Sequence, residues 1–239
     1  MHRSSLLVAV LLAASAVGVR SAAAVDLALV LLTDVSQSMD EGEFTMVKDG
    51  YRAAFADPEV VAAIAASPGG VAVAYVEFSG AQEIILVRGW EILTDAASAQ
   101  SFGVAVAAAP RSSAGNTALS ASLQQAAFLL KDGAFGDARL VIDVTSDHPW
   151  DGGRSRAVRD RIVADGITIN ALPIIDERPF NTIDGRLSYT SYQAPGGIAE
   201  FFRREVIGGP GSFVVEARDY DAYGEALKRK LLMELIALR

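Results

Sequence analysis

The sequence predicts an α/β domain: a doubly wound, mostly parallel sheet with helices on both faces and one antiparallel edge strand. Two observations carry this. The apolar run at 26–33, DLALVLLT, has no charge after its first residue and ends abruptly in acids and hydroxyls, the pattern of a strand buried on both faces of a parallel sheet. Further apolar runs at 71–78, 139–145 and 167–175 alternate with segments of helical period along the chain, the order of βα units. No internal repeat and no low-complexity linker divides 25–239, which reads as one domain.

In chain order, 1–24 reads as a secretory signal peptide: a basic start at His2 and Arg3, an apolar stretch at 6–19, and the small-residue site Ala22-Ala23-Ala24. Arg20 and Asp26 interrupt what would otherwise be a continuous span, so no stable membrane span is expected after cleavage. The first strand follows at 26–33. Phe44, Val47, Tyr51, Ala54 and Phe55 keep helical spacing over 42–55, with Lys48, Asp49 and Arg52 placed for the wet face. Pro58 and the cluster at 67–70 bracket a second short helix. Strands at 71–78 and 83–87 are joined by Ser79-Gly80-Ala81-Gln82 as a hairpin, the antiparallel edge pair.

A helix begins at Thr94, with Thr94-Asp95 at its start, runs through Ala96 to about Ala107 and stops at Pro110. The loop 111–117 leads into a helix over 118–130, and 133–137 breaks it. After the strand at 139–145 and a polar loop at 146–153 comes a helix at 154–164, then the strand at 167–175. The stretch 176–197 is a long connection rich in hydroxyls, Pro and Gly, and 198–206 is a short helix. Gly208 to Gly211 turns into a strand at 212–217, and an amphipathic helix at 219–238 closes the chain.

Composition removes several functions. The formal charge is −8, and loss of Arg3 and Arg20 with the signal peptide leaves an acidic domain, a poor match for nucleic acid phosphates. Cysteine is absent, which excludes thiolate catalysis, zinc–thiolate clusters and disulfide stapling, and 51% hydrophobic residues supply a core instead. No G-x-S-x-G elbow, P-loop or strand-linked G-x-G-x-x-G occurs. Asp143 inside a strand is expected to be buried and paired, and Trp90 and Trp150 are expected to pack in the core or at its rim.

The first strand leads directly into Asp34, Ser36 and Ser38, at i, i+2 and i+4 in a loop at its carboxyl end, where ligands of open α/β sheets bind. One carboxylate and two hydroxyls offer only oxygen, which suits a hard divalent cation. The same residues also suit a helix cap. The D-x-S-x-S arrangement resembles the metal-ion-dependent adhesion site of von Willebrand factor A domains. Two further pieces share that resemblance: Gly115-Asn116-Thr117 before Ala118-Leu119 is similar to the family's G-G-T segment, and Thr145-Ser146-Asp147 to its strand-end T-D-G. Asn116 and His148 stand where the family usually has Gly.

The resemblance implies a metal site of Asp34, Ser36, Ser38, Thr117 and Asp147. The three hydroxyls touch the ion, and the two carboxylates bind it directly or through water. It implies Mg²⁺ first, with Ca²⁺ or Mn²⁺ as alternatives, and a protein partner offering an acidic residue to complete the ion's shell. Asp40, Glu41 and Glu43 form an acidic rim nearby. The segments at 139–147, 208–215 and 217–235 resemble exported bacterial von Willebrand A-like proteins known only as a family of unknown function. The function implied is therefore a periplasmic or secreted binding module that engages a protein or peptide carboxylate through a divalent cation. The alternative is a metal-dependent, phosphoesterase-like hydrolase using the same acids with His148, the only histidine beyond the signal peptide.

Overall fold

The computed structural model describes residues 25–147, 154–175, 179–183, 186–189 and 196–236. Its centre is β1 (Leu27–Asp34), buried along its full length. Side chains alternate across a strand, so Leu27, Leu29 and Leu31 enter one apolar cluster, whereas Ala28, Val30 and Leu32 enter another. Each Leu so buried contributes about 1.5–3 kcal/mol. β1 therefore needs cover on both faces and parallel neighbours on both edges.

It has both. β1 pairs in parallel with β2 (Val71–Phe78) and β4 (Arg139–Ser146), and β4 pairs in parallel with β5 (Thr168–Pro173). β3 (Ile84–Leu93) lies antiparallel on β2, so the sheet order is β3-β2-β1-β4-β5. Helices α1 (Glu41–Ala56), α2 (Pro58–Ala65), α3 (Ala96–Ala108) and α7 (Tyr223–Ile236) contribute to the first cluster. Helices α4 (Leu119–Asp132), α5 (Ser155–Ala164) and α6 (Gly197–Phe201), which continues as a π turn over Phe202–Val206, contribute to the second. Gly50 lets α1 approach α7: a Cβ there would lie 2.7 Å from the Tyr223 ring and 3.3 Å from the Gly224 backbone.

The structure extends or corrects four expectations. β3 runs on through Leu93 instead of ending at Val87, because an edge strand needs no apolar alternation where its side chains meet solvent: Ile85, Leu86 and Ile92 are exposed. The connection at 176–197 carries a two-stranded antiparallel sheet, β6 (Pro179–Ile183) and β7 (Arg186–Tyr189). The segment 212–217 is not a continuous strand. It follows β5 by isolated bridges at Val214 and Ala217, because the side chain of Asn170 takes the Phe213 N–H at 2.8 Å. Lys48 is buried rather than wet, its Nζ 2.7 Å from Glu77 Oε1 and stacked over the Tyr75 ring. Trp90 packs edge-on against Phe135, at the rim of the second cluster. The signal-peptide reading at 1–24, His148 and Trp150 lie outside the described residues.

Candidate metal centre

β1 and β4 are adjacent, and the crossover direction reverses between them, since β2 and β3 lie on one side of β1 and β4 and β5 on the other. Loops leaving two such strands diverge and open a crevice at their carboxyl ends. The register pairs Thr33 with Thr145, which places Asp34 and Ser146 side by side at its floor.

Asp34 is fully buried. Its Oδ1 accepts the Ser36 N–H at 2.9 Å and its Oδ2 accepts the Ser146 hydroxyl at 2.6 Å. Burial pushes its carboxyl above the usual carboxylate range, against the pull of the hydrogen bonds from Ser146 and Ser36 and of the Arg111 charge. Around it runs a chain of hydroxyls. Thr117 Oγ1 donates to Ser36 Oγ at 3.0 Å, Ser36 Oγ and Ser38 Oγ are 3.1 Å apart, and Ser38 Oγ donates to Asp147 Oδ1 at 2.9 Å. The structure thus brings together Asp34, Ser36, Ser38, Thr117 and Asp147 from three separate segments.

Capping does not account for these residues. α1 is capped by Asp40, which accepts the Glu43 N–H at 2.8 Å while Glu43 accepts the Asp40 N–H at 2.6 Å. α4 starts from Ala118 with no side-chain cap, so Thr117 is turned to Ser36 instead of to its own helix. Helix α1 is satisfied without Asp34, Ser36 or Ser38. The same capping box removes Glu43 from the acidic rim, since its carboxylate is buried and engaged; Asp40 and Glu41 stay exposed.

The loops are held from behind. Arg111 donates from Nη2 to the carbonyls of Val35 at 2.8 Å and Ser36 at 2.7 Å, and from Nε to Ser113 at 3.1 Å. Gln37 N–H donates to the Gly115 carbonyl at 3.0 Å, and Gln37 Nε2 to Asn116 Oδ1 at 3.0 Å. Asn116 needs no glycine in its place: Ala134 is the only non-glycine of positive φ among the described residues. Gly115 does need to be glycine, because a Cβ there would lie 2.0 Å from Glu83 Oε2, which the Ser79 hydroxyl and Gly80 N–H fix in position.

Reading the sequence by motif missed three residues of this neighbourhood: Ser146, Arg111 and Tyr220. Ser146 could have been found, since it lies between Thr145 and Asp147. Tyr220, whose hydroxyl donates to Asp147 Oδ2 at 3.0 Å, is 73 residues from its acceptor and carries no local signal. The donor set is oxygen throughout, and among the described residues no group of three or more acids or histidines gathers. Three hydroxyls, a buried carboxylate that burial disfavours as an anion, and a second carboxylate suit a hard cation, and the residues present fit a divalent ion.

A model of the family described as "Protein of unknown function (DUF1194)" matches residues 24–239. The chain belongs to this family. No curated protein matches it. Among solved structures, its fold is similar to the pilus adhesin SpaC from Lactobacillus rhamnosus GG, at a TM-score of 0.60 and 15% identity over 88% of this chain and 30% of that one. It is similar to a von Willebrand factor type A protein from Catenulispora acidiphila, at a TM-score of 0.54 and 15% identity over 87% and 42%. It is also similar to proximal thread matrix protein 1 from the mussel byssus in a form with a zinc-occupied adhesion-site motif, at a TM-score of 0.58 and 14% identity over 91% and 47%. This chain spans less than half the length of each of the three. The family member has the von Willebrand A-like fold, as the motif resemblance implied. No helix among the described residues is long and apolar enough to cross a membrane.

Proposed function

We propose that this family member is an exported, periplasmic or secreted, binding module that holds a divalent cation, Mg²⁺ first, on Asp34, Ser36, Ser38, Thr117 and Asp147. Through that ion it takes a carboxylate from a protein partner. One observation carries the reading: the serines and threonine of the crevice are turned to one another and to the two aspartates, although the helices beside them are capped by other means or not at all. The zinc-occupied motif of the mussel protein and the adhesin among the structural relatives support it.

When bound, the cation supplies an electrophile to which a carboxylate docks. The chain's residues do the rest. Two of the five side chains can be anionic, which at most balances the charge of a divalent ion, whereas a cage of three or four carboxylates would make the site net negative and repel an incoming carboxylate. Arg111, tied to the carbonyls behind the loop, keeps the Ser36 and Ser38 hydroxyls facing the crevice.

The test is capture of envelope or secreted proteins on the immobilised chain in Mg²⁺ and in EDTA. A partner retained only with Mg²⁺, released by EDTA and not captured by Asp34→Ala is the expected result. Capture indifferent to EDTA and to Asp34→Ala contradicts the proposal.

A further inference from the structure

Described donors reach both oxygens of Asp147: Ser38 donates to Oδ1 at 2.9 Å and Tyr220 to Oδ2 at 3.0 Å. Asp34 is held in the same manner by Ser36 N–H and the Ser146 hydroxyl. A carboxylate that chelates one ion must turn both oxygens edge-on to it, and here a donor on each oxygen occupies a lone pair and fixes the rotation of the group. Both carboxylates are thereby set to offer one oxygen or to act through water.

That restriction separates two kinds of cation. Ca²⁺ takes about 6–8 oxygens in flexible geometry and commonly uses bidentate carboxylates, whereas Mg²⁺ is octahedral, retains waters and does well with single oxygens. We propose that Tyr220 is a positioning residue that sets the site's ion preference: by holding Asp147 Oδ2, it keeps that carboxylate from chelating and favours Mg²⁺ over Ca²⁺. The inference rests on the metal reading above and deepens it.

Tyr220 is built for such a role. It is 4% exposed and belongs to the first apolar cluster, so its ring is fixed independently of its hydroxyl. It stands just before α7, the helix that also places Lys230 against Asp143. Asp143 shares the β4 face of Val141, a residue of the first cluster, and Asp147 follows the end of that strand, where Tyr220 of the same cluster reaches it. One segment of chain therefore grips both acids.

The experiment is calorimetric titration of Mg²⁺ and of Ca²⁺ into metal-stripped wild type and Tyr220→Phe, with circular dichroism melting to show that the variant is folded. Removing one oxygen leaves the ring in place. Wild type is expected to bind Mg²⁺ more tightly than Ca²⁺, and the ratio of the two dissociation constants is expected to move toward Ca²⁺ by about ten-fold in Tyr220→Phe, the scale on which residues behind the ligands act. A purely structural role would weaken both ions together. An unchanged ratio in folded Tyr220→Phe, or a wild type that prefers Ca²⁺, overturns the inference while leaving the metal site standing. Absence of binding of either ion by wild type overturns the metal reading and this inference with it.

Discussion

Buried carboxylates occur in two places, and the chain treats them differently. Beneath α7, Asp143 and Glu234 surround Lys230: its Nζ contacts Asp143 and lies 3.6 Å from Glu234, with Asn170 donating to Glu234 at 2.6 Å and Arg139 3.6 Å away. Burial pushes both carboxyls up, and the Lys230 charge opposes it. At the crevice, Asp34 is equally buried, yet among the described residues no lysine or arginine forms an ion pair with it. Its donors are a backbone N–H and a hydroxyl. The guanidinium of Arg111 acts on it from a distance, its N–H groups engaged by loop carbonyls and, at 3.4 Å, by Glu41. One region carries its counter-charge in the sequence, and the other, on the proposed reading, takes it from a bound ion.

If this contrast holds, substitutions at the two places have unlike consequences. The largest effect is expected at Lys230→Met, which strands buried Asp143 without a cation and leaves Glu234 only Arg139 at 3.6 Å. Loss of one partner of a buried pair costs about 3–5 kcal/mol, read as a lower denaturant midpoint, with cation affinity of the folded variant unchanged. Arg111→Met comes next. It removes charged hydrogen bonds to the carbonyls of Val35, Ser36 and Ser113, and a loss of about 1.5–3 kcal/mol is expected together with weaker cation binding by titration, since the hydroxyl loop is released. The smallest effect on the metal-free protein is expected at Asp34→Asn, within about 1 kcal/mol of wild type. The amide can keep its oxygen toward Ser36 N–H and turn its NH₂ to the Ser146 oxygen, and the cost of a buried charge is gone. A strong destabilisation at Asp34→Asn would erase the contrast.

The fold was legible because burial imposes a pattern on strands. The run at 26–33 must be apolar at every position when both faces are covered, and its parity then assigns residues to the two clusters. The second half of β3 was hidden by the same logic: Arg88, Gly89 and Glu91 break an apolar run, but an edge strand tolerates them. Lys48 looked like a wet-face residue because helical spacing reports a side chain's direction and says nothing about an acid on a distant strand, here Glu77. Of the five candidate ligands, Asp34, Ser36 and Ser38 stand together in one stretch of sequence, whereas Thr117 and Asp147 were named through the motif resemblance. What holds them, Arg111 and Tyr220 above all, was not legible, since the loop carbonyls of Val35 and Ser36 lie 76 and 75 positions from Arg111, and Asp147 lies 73 from Tyr220.

The most direct test of the central claim is the thermal unfolding of metal-stripped wild type and Asp34→Asn as Mg²⁺ is added. A ligand that binds only the folded state stabilises it by about 2.7 kcal/mol at a hundred times its dissociation constant. The account predicts a midpoint that climbs with Mg²⁺ for wild type and stays flat for Asp34→Asn. Midpoints that respond to Mg²⁺ identically in the two proteins would contradict it.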